Sequence, residues 1–385
     1  MYRVISDYDI PLKMWTEPND HKTLEQARHV CNAPYSKKWV VLLPDCHPGY
    51  GMPIGTVMAA QRVIVPNAVG VDIGCGMVAV EADLTEISTE TVQAWVDECR
   101  RSIPLGRNWH KDARFGLYMP DGHHLAATSI VKQQWGRAQH QLGTLGGGNH
   151  FIELQWSDTG KVWLMVHSGS RNLGKQVADH YNKEAKKLNK TWHSGLNPKW
   201  ELAFLPWDSK IGQDYVFEMR YAMKFAEANR TCLVRQAFDI LEELTGAQMT
   251  RRIESVHNFA ALEHHYGQNF VIHRKGAILA RSGTTVVIPG SMGSHSYIGV
   301  GLGEPESFQS CSHGAGRLMS RSKAKQELDL DTELIKLNGV VHGIKSASDL
   351  DEAVGSYKSI ETVMASQSEL VRIAVTLSPL GSVKG

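Results

Sequence analysis

The sequence has almost no net charge, no closely spaced cysteines and no long apolar run. Its 41 Lys+Arg against 40 Asp+Glu leave a formal charge of +1, which argues against a polycation that wraps nucleic acid without specificity. The longest apolar runs are strand-sized, whereas a membrane helix needs about 20 residues. The six scattered cysteines predict reduced thiols. With no apparent signal peptide, these absences predict a cytoplasmic protein without a membrane partner.

Familiar nucleotide-binding motifs and linkers are also absent. No GxxxxGK[ST] or GxGxxG pattern follows a predicted strand, which excludes P-loop and Rossmann sites. No repeat or Pro/Ser-rich linker divides the chain, so a single domain of residues 1–385 is expected. Because predicted strands and helices do not alternate regularly, the fold class is α+β, with mixed sheets and surrounding helices.

Apolar periodicity places the main elements. Runs bounded by turn residues predict strands at 39–43, 55–60, 77–82, 162–167, 269–273, 277–281 and 284–289. Helical spacing predicts helices at 90–103, behind a Ser88 cap, and at 214–244. In the second helix Arg220, Arg230 and Arg235 are expected on a solvated face, with RNA binding as the alternative.

Glycine and histidine, by contrast, are plentiful and clustered, with 35 and 18 residues. On a glycine-rich turn, Asp72 and Cys75 can converge on one point. A mixed oxygen and sulfur set suits a borderline ion such as zinc, manganese or iron, whereas Mg²⁺ and Ca²⁺ prefer oxygen alone. The alternative is a capped turn in the core.

A second cluster lies at 143–154, and four of its first six residues are glycine. Glycines let the backbone approach a ligand closely. In the extended segment that follows, Asn149, Phe151 and Glu153 share one face while His150 points to the other. One strand can therefore give His150 to a metal and the other side chains to a second ligand. A glycine-rich hairpin with a core histidine is the competing interpretation.

Two further histidines follow strands or turns. The strand at 162–167 ends at His167, and the residues after it offer hydroxyls, free amides and the guanidinium of Arg171, which is typical of an anion site. His257 lies beside Asn258, where a satisfied core histidine is the competing interpretation. Three histidines, one aspartate and one cysteine are what two borderline divalent ions require.

The last cluster lies between Pro289 and Arg321. Its glycines and small residues leave room for a phosphate chain, and His313 lies among them. A histidine in such a pocket can be a general base, a metal ligand or a nucleophile. An imidazole whose other nitrogen is hydrogen-bonded presents a lone pair at neutral pH, so attack on phosphorus is chemically reasonable. Structural turns without a ligand are the alternative.

These motifs resemble those of RtcB-type RNA ligases, the GTP- and manganese-dependent 3′-phosphate RNA-splicing ligases. The resemblance covers nearly the whole chain and rests on Asp72-Ile-Gly-Cys75, 146–153, 167–171, His257-Asn258, 289–293, 312–317, 355–358 and Lys384-Gly385. It implies a distinctive α+β fold with two manganese ions. The Cys75 thiolate would bridge them, with His167 and His257 on one ion and Asp72 and His150 on the other.

The resemblance also assigns the nucleotide. His313 would attack the α-phosphate of GTP and become guanylylated, Tyr357 would stack on the base, and Glu153 and Lys384 would read the guanine. The implied nucleotide-binding set is Asn149, Phe151, Glu153, His257, Asn258, Pro289, Gly290, Ser291, Met292, Ser296, His313, Gly314, Ala315, Gly316, Tyr357 and Lys384. Arg171, Arg317 and Arg321 resemble contacts to RNA phosphates.

The implied reaction joins an RNA 3′-phosphate or 2′,3′-cyclic phosphate end to a 5′-hydroxyl end, in tRNA splicing or RNA repair. A cyclic end is first opened, GMP passes from His313 to the 3′-phosphate, and the 5′-hydroxyl then displaces GMP. The alternatives are a metal-dependent cyclic phosphodiesterase that does not ligate and a non-catalytic RNA-binding relative. The presence of His313, Lys384 and every metal ligand favours the ligase. No role is expected for Cys46, and Cys311 is expected to be a packing residue.

Overall fold

Helices and strands are mixed along the chain in the structure, a computed structural model that describes residues 1–18, 20–122 and 125–385. The strands are β1 (Arg3–Ile5), β2 (Leu12–Met14), β3 (Ser36–His47), β4 (Ile54–Ala60), β5 (Val63–Ile64), β6 (Gly76–Ala82), β7 (Phe151–Ser157), β8 (Val162–Ser168), β9 (Leu205–Pro206), β10 (Met249–Val256), β11 (Asn258–His265), β12 (Gln268–Lys275), β13 (Ala277–Leu279), β14 (Thr285–Ile288), β15 (Ser296–Gly301), β16 (Ser310–Ser312) and β17 (Val371–Lys384). The helices are α1 (His21–Cys31), α2 (Pro66–Val69), α3 (Thr89–Ser102), α4 (Ile130–Gln141), α5 (Arg171–Thr191), α6 (Lys210–Thr245), α7 (Arg321–Glu327), α8 (Leu330–Lys336) and α9 (Ile360–Ser366). Short 3₁₀ helices form at Gly116–Tyr118, Pro198–Trp200, Pro305–Ser307, Ala347–Glu352 and Val354–Ser356.

Most of the strands belong to two large sheets. The first has the order β1-β2-β3-β4-β12-β11, and the second has the order β10-β6-β8-β7-β17-β15-β14. Neighbouring strands in both are antiparallel, apart from the parallel pair of β2 and β3. Two small two-stranded sheets, β13 with β16 and β5 with β9, complete the pairing.

The two large sheets bury their facing sides against each other. Met77 and Ala79 of β6 lie in one hydrophobic cluster with residues of β3, β4 and β12 from the first sheet. The intervening Val78 and Val80 lie in a second cluster with α3 and α6. Because side chains alternate along a strand, β6 is buried on both faces, which is why its sequence reads as a continuous apolar run.

Helices cover the outer faces of both sheets. Ala27 and Val30 of α1 pack with Leu42 and Met58 of the first sheet. A further cluster joins α4, α5 and α6 with Ala260 and Val271 of the same sheet. No helix among the described residues is both long enough and apolar enough to cross a membrane.

The structure confirms the α+β class and most of the predicted elements. Ser88 caps α3, accepting a hydrogen bond from the Thr91 amide at 3.2 Å. The predicted helix at 214–244 is longer, running from Lys210 to Thr245, and it ends at Gly246 in a left-handed conformation with φ 74°. The strand predicted at 277–281 is shorter and ends at Leu279. All six cysteines are unpaired, as predicted, and all of them are buried. Both Cys46 and Cys311 lie in hydrophobic clusters.

One prediction for α6 is wrong. Arg220 and Arg235 are exposed, but Arg230 is fully buried. Its guanidinium donates to the Gly74 carbonyl at 2.7 Å and to the Ser168 carbonyl at 3.0 Å, and it pairs with Glu254. Helical periodicity alone could not reveal this, because the partners come from a turn and from the strands β8 and β10, outside the helix.

Candidate active site

Cys75, His150 and His167 bring their ligand atoms within 4.8 Å of one another. The Cys75 Sγ lies 3.2 Å from His167 Nε2 and 3.4 Å from His150 Nε2. Asp72 joins them through a 2.9 Å contact between its Oδ2 and His150 Nε2. The His257 ring lies 5.2 Å from the His167 ring, centroid to centroid. The structure therefore gathers all five predicted metal ligands.

The protonation states of these groups suit the binding of a cation. Burial alone would raise the pKa of Asp72, but the hydrogen bond from His150 and the nearby imidazoles lower it to about 2. Burial, followed by the charges of neighbouring histidines, holds the pKa values of His167 and His257 well below their ordinary value, so both rings are neutral. Burial and the Asp72 carboxylate raise the pKa of Cys75. A nearby metal ion favours the thiolate that such a buried thiol otherwise resists.

Ring nitrogens in the cluster are oriented for binding. His167 Nδ1 lies 2.9 Å from the Asn149 carbonyl, so it donates there and leaves the Nε2 lone pair toward Cys75. The Nδ1 atoms of His150 and His257 are buried with no hydrogen-bond partner in the described part of the chain. The donor set, a carboxylate, a thiol and neutral imidazoles, fits a borderline divalent metal.

The turns that carry these ligands are fixed by neighbouring backbone. Asn258 donates from its side chain to the Asp72 carbonyl at 3.0 Å, and the Gly276 amide donates to Asn258 Oδ1 at 2.9 Å. Gly169 leaves room for the Asp72 carboxylate, because a Cβ at that position would lie 2.1 Å from its Oδ1. Asn258 thus helps to hold the turn that carries Asp72 and Cys75 in place.

His313 follows β16 and is oriented by a buried carboxylate. Its Nδ1 lies 2.6 Å from Oδ2 of Asp45, and its backbone amide donates to the same oxygen at 2.9 Å. Asp45 is fully buried. Burial alone would raise the pKa of Asp45, but the charge and hydrogen bond of His313 lower it. An imidazole that donates from Nδ1 to a carboxylate carries its lone pair on Nε2, which is the arrangement a nucleophile needs.

Asp45 is itself held from both sides. The Lys358 ammonium donates to the carbonyls of Pro44 and Cys46 at 3.0 and 2.7 Å. Gly316, with φ 72°, passes so close that a Cβ would lie 2.1 Å from the Asp45 carbonyl oxygen. The Gly355-Ser-Tyr-Lys358 and Ser312-His-Gly-Ala-Gly-Arg317 motifs therefore close around the strand end that orients His313.

His313 lines a cavity of about 670 Å³ together with most of the predicted nucleotide contacts. The predicted residues on its wall are Asn149, Phe151, Glu153, Pro289, Gly290, Ser291, Met292, His313, Gly314, Ala315, Gly316, Arg317, Arg321, Tyr357 and Lys384. His167 also lines it, and the His257 ring lies 4.7 Å from the His313 ring. The metal-ligand cluster and the nucleophile candidate thus share one cavity.

Glu153 and Lys384 come together through the sheet. β7 and β17 are neighbours, with Glu153 opposite Ser382 and Phe151 opposite Lys384. The Lys384 ammonium lies 5.6 Å from the centre of the Phe151 ring. Burial raises the pKa of Glu153 to about 7, even though Gln155 donates to it at 2.6 Å.

Glu352 binds the cationic and aromatic side chains on another part of the cavity wall. Its carboxylate forms ion pairs with Arg317 at 3.3 Å, with Lys384 at 3.2 Å and with Arg321, and it accepts from the Tyr357 hydroxyl. The Arg317 guanidinium also lies over the Tyr357 ring at 5.1 Å. The Arg317 guanidinium is therefore used largely for contacts within this part of the cavity wall.

Other predicted contacts lie behind the cavity. Ser296 is buried and accepts from the Gly290 amide at 3.1 Å, so it shapes the 289–292 loop. Arg171 donates to the Thr144 hydroxyl at 3.1 Å and to the Gly106 carbonyl at 2.8 Å, beside the metal-ligand cluster. These positions leave their assignments to nucleotide and RNA as predictions.

The residue patterns did not predict the supporting roles of Asp45, Glu352 and Arg230. Asp45 did have a local signal, since it follows an apolar strand and precedes a glycine-containing turn. Glu352 had none, because it lies in a polar stretch and acts only through side chains that meet it in the folded chain.

Comparison with known proteins agrees with this geometry. The family described as "tRNA-splicing ligase RtcB" matches residues 26–121 and 117–385. The chain is 34% identical to the Escherichia coli K12 protein named "RNA-splicing ligase RtcB", over all of both chains. It is 31% identical to the Thermococcus kodakarensis "tRNA-splicing ligase RtcB", over all of this chain and 94% of that one. The Mycobacterium tuberculosis "RNA-splicing ligase RtcB" is also 31% identical, over 94% of this chain and all of its own. The resemblance found in the sequence is confirmed, and the chain belongs to the RtcB family.

Proposed function

We propose that this RNA ligase joins RNA 3′-phosphate or 2′,3′-cyclic phosphate ends to 5′-hydroxyl ends through a GMP adduct on His313. The observation that carries the proposal is the His313–Asp45 pair, which lines the same cavity as the glycine-rich loops and lies beside the cysteine and histidine cluster. An oriented nucleophile, a nucleotide-sized cavity and metal ligands in one place are what phosphoryl transfer to a side chain requires.

Two manganese ions would be held by Asp72, Cys75, His150, His167 and His257. The neutral imidazoles, the low-pKa carboxylate and the unpartnered ring nitrogens fit divalent ions. Such ions supply Lewis acidity and neutralise phosphate charge. Manganese accepts this donor mixture, and its choice over zinc rests on the family resemblance because affinity alone favours zinc.

His313 would then carry the chemistry. Its Nε2 lone pair attacks the α-phosphorus of GTP, a P–N bond forms, and the bond to pyrophosphate breaks. Asp45 accepts the hydrogen bond from Nδ1–H, so that proton stays on the ring, and the Asp45 carboxylate stabilises the positive charge that the ring acquires. An oxygen of the RNA 3′-phosphate next attacks the same phosphorus, which returns the electron pair to His313. The 5′-hydroxyl finally attacks the activated 3′-phosphate and GMP leaves.

The rest of the cavity would hold GMP. Tyr357 stacks on the base, and Glu153 with Lys384 reads the guanine edge. Asn149, Phe151, the 289–292 loop and residues 314–316 surround the nucleotide. His257, Asn258 and Ser296 complete this set from behind, and Arg171, Arg317 and Arg321 contact RNA phosphates.

A ligation assay tests the proposal directly. RNA halves ending in 2′,3′-cyclic phosphate and 5′-hydroxyl are incubated with GTP or ATP and with Mn²⁺ or Mg²⁺. We expect a joined product with GTP and Mn²⁺. Opening of the cyclic phosphate without joining, and with no need for GTP, would instead identify a phosphodiesterase.

A further inference from the structure

Two smaller cavities neighbour the cavity that His313 lines. One, of about 410 Å³, shares the lining residue Lys22 with the His313 cavity. The other, of about 550 Å³, shares the lining residues Asn197 and Glu201 with the 410 Å³ cavity. We call these two neighbouring cavities the side groove. The lining side chains that matter are Lys22, His29, Tyr50, Lys190, Lys199 and Trp200.

Aromatic rings occur along the side groove. His29 and Trp200 stack with ring centres 4.9 Å apart and planes 14° apart. Tyr50 is 68% exposed, although its backbone is held firmly. Its carbonyl accepts from the Lys275 ammonium at 2.5 Å, and Gln26 bonds both the amide and the carbonyl of the preceding Gly49. A large aromatic side chain exposed on a clamped loop is prepared for stacking at little entropic cost.

The charges of the side groove favour an anion. Among the described residues, Lys22, Lys190 and Lys199 form no ion pair, whereas Lys186 is paired with Glu201. Glu25 is the acidic group of the lining that has no ion-pair partner in the described chain. Cationic groups that follow a groove, interleaved with aromatic rings, characterise surfaces that bind single-stranded nucleic acid.

We propose that the side groove binds the unpaired nucleotides immediately upstream of the RNA 3′-phosphate. A base stacks on Tyr50, another rests against the His29–Trp200 pair, and the phosphodiesters lie along Lys22, Lys190 and Lys199. The 3′-phosphate strand is the occupant because its end must reach His313. Lys22 lines both the side groove and the His313 cavity, so a strand in the groove can place its end there. This inference rests on the proposed function.

The test compares donor strands of two lengths. Ligation is measured with 3′-phosphate donors of about two and about ten nucleotides, against one fixed 5′-hydroxyl acceptor. We expect Tyr50→Ala and Lys199→Glu each to raise the KM for the long donor at least about five-fold, with little change for the short donor. Tyr50→Phe, which keeps the aromatic ring, should leave the KM for the long donor at its parent value. Lys199→Glu should reduce the salt dependence of that KM.

Matched controls separate the groove from general effects. Tyr2→Ala removes another exposed aromatic ring, 60% exposed, and Lys224→Glu removes an exposed lysine of α6, both outside the three cavities. These controls should leave both KM values unchanged. Labelling of the parent protein with GTP is measured in parallel, and its absence would refute the proposed function itself. Normal labelling with an unchanged long-donor KM in both groove variants would overturn the inference, as would an effect that follows acceptor length instead.

Discussion

At the scale of single residues, the pairing of His313 with Asp45 is the feature that would make this histidine a nucleophile in the proposed reaction. The 2.6 Å contact fixes the ring and its tautomer. An asparagine in place of Asp45 removes the charge that stabilises the guanylylated ring. We therefore expect Asp45→Asn to slow GMP transfer to His313 by roughly 10²- to 10⁴-fold, measured in a single turnover with labelled GTP. Metal content and melting temperature serve as controls, and an unchanged rate would contradict the role.

In the proposed nucleotide site, Glu153 introduces a pH dependence. Burial raises its pKa to about 7, so the carboxyl is protonated below that pH and charged above it. Only the charged form accepts from both N–H groups of the guanine edge. We expect guanine nucleotide affinity to fall as the pH drops through about 7, in titrations of GTP binding. Glu153→Gln should bind more weakly at high pH and lose this step, whereas identical profiles for parent and variant would refute it.

Residue patterns predicted the metal ligands better than the groups that hold them. Cys75, His150 and His167 were recognisable because each stands beside glycines or a strand end. Asp45 and Glu352 bind other side chains, and their partners are distant in sequence. Glu352 has no local pattern, and the strand-end signal of Asp45 does not reveal its partner, so only the folded chain identifies the roles of these carboxylates.

At the scale of elements, α6 supports the turn at Asp72–Cys75 and the end of β8. Its Arg230 bonds the carbonyls of Gly74 and Ser168 and pairs with Glu254. Arg230→Met leaves the two carbonyls without this donor and removes one of the two arginine partners of Glu254, which keeps its ion pair with Arg252. We therefore expect a loss of roughly 2–5 kcal/mol in the free energy of unfolding, measured with urea. The exposed Arg220→Met on the same helix should change it by less than about 0.5 kcal/mol. Equal effects of the two variants would contradict this role for Arg230.

The sequence predicted strands correctly where both faces are buried. It did not predict a strand that forms only through pairing with strands distant in sequence. The apolar runs of β3, β6 and β8 were evident from the sequence. β17 was not predicted, because Pro379 and Gly381 interrupt its pattern. In the structure these residues lie at a register shift between β17 and β7, where the ladder tolerates them.

At the scale of the whole molecule, the site lies where the two sheets meet. β10 of the second sheet passes directly to β11 of the first sheet at His257, and Asp45 lies near the end of β3. A net charge of +1 is compatible with RNA binding, because metal ions and a few local cations supply the positive charge. The excess of glycine and histidine in the sequence was therefore more informative than its charge.

Because the ligands come from several elements, metal binding should stabilise the fold. We expect Mn²⁺ at about 100 times its dissociation constant to raise the melting temperature of metal-stripped protein by roughly 2–5 °C. Cys75→Ala should lose most of this response and most of the bound metal, measured by thermal unfolding and elemental analysis. A full response with normal metal content in Cys75→Ala would remove Cys75 from the site.

The most direct measurement is covalent labelling by GTP carrying a radioactive α-phosphate. In the presence of Mn²⁺ we expect a labelled protein whose adduct is lost in acid and survives alkali, as a phosphorus–nitrogen bond does. His313→Ala should show no label while it still binds metal. Persistence of the label in His313→Ala, or an adduct stable to acid, would contradict the assignment of His313 as the nucleophile.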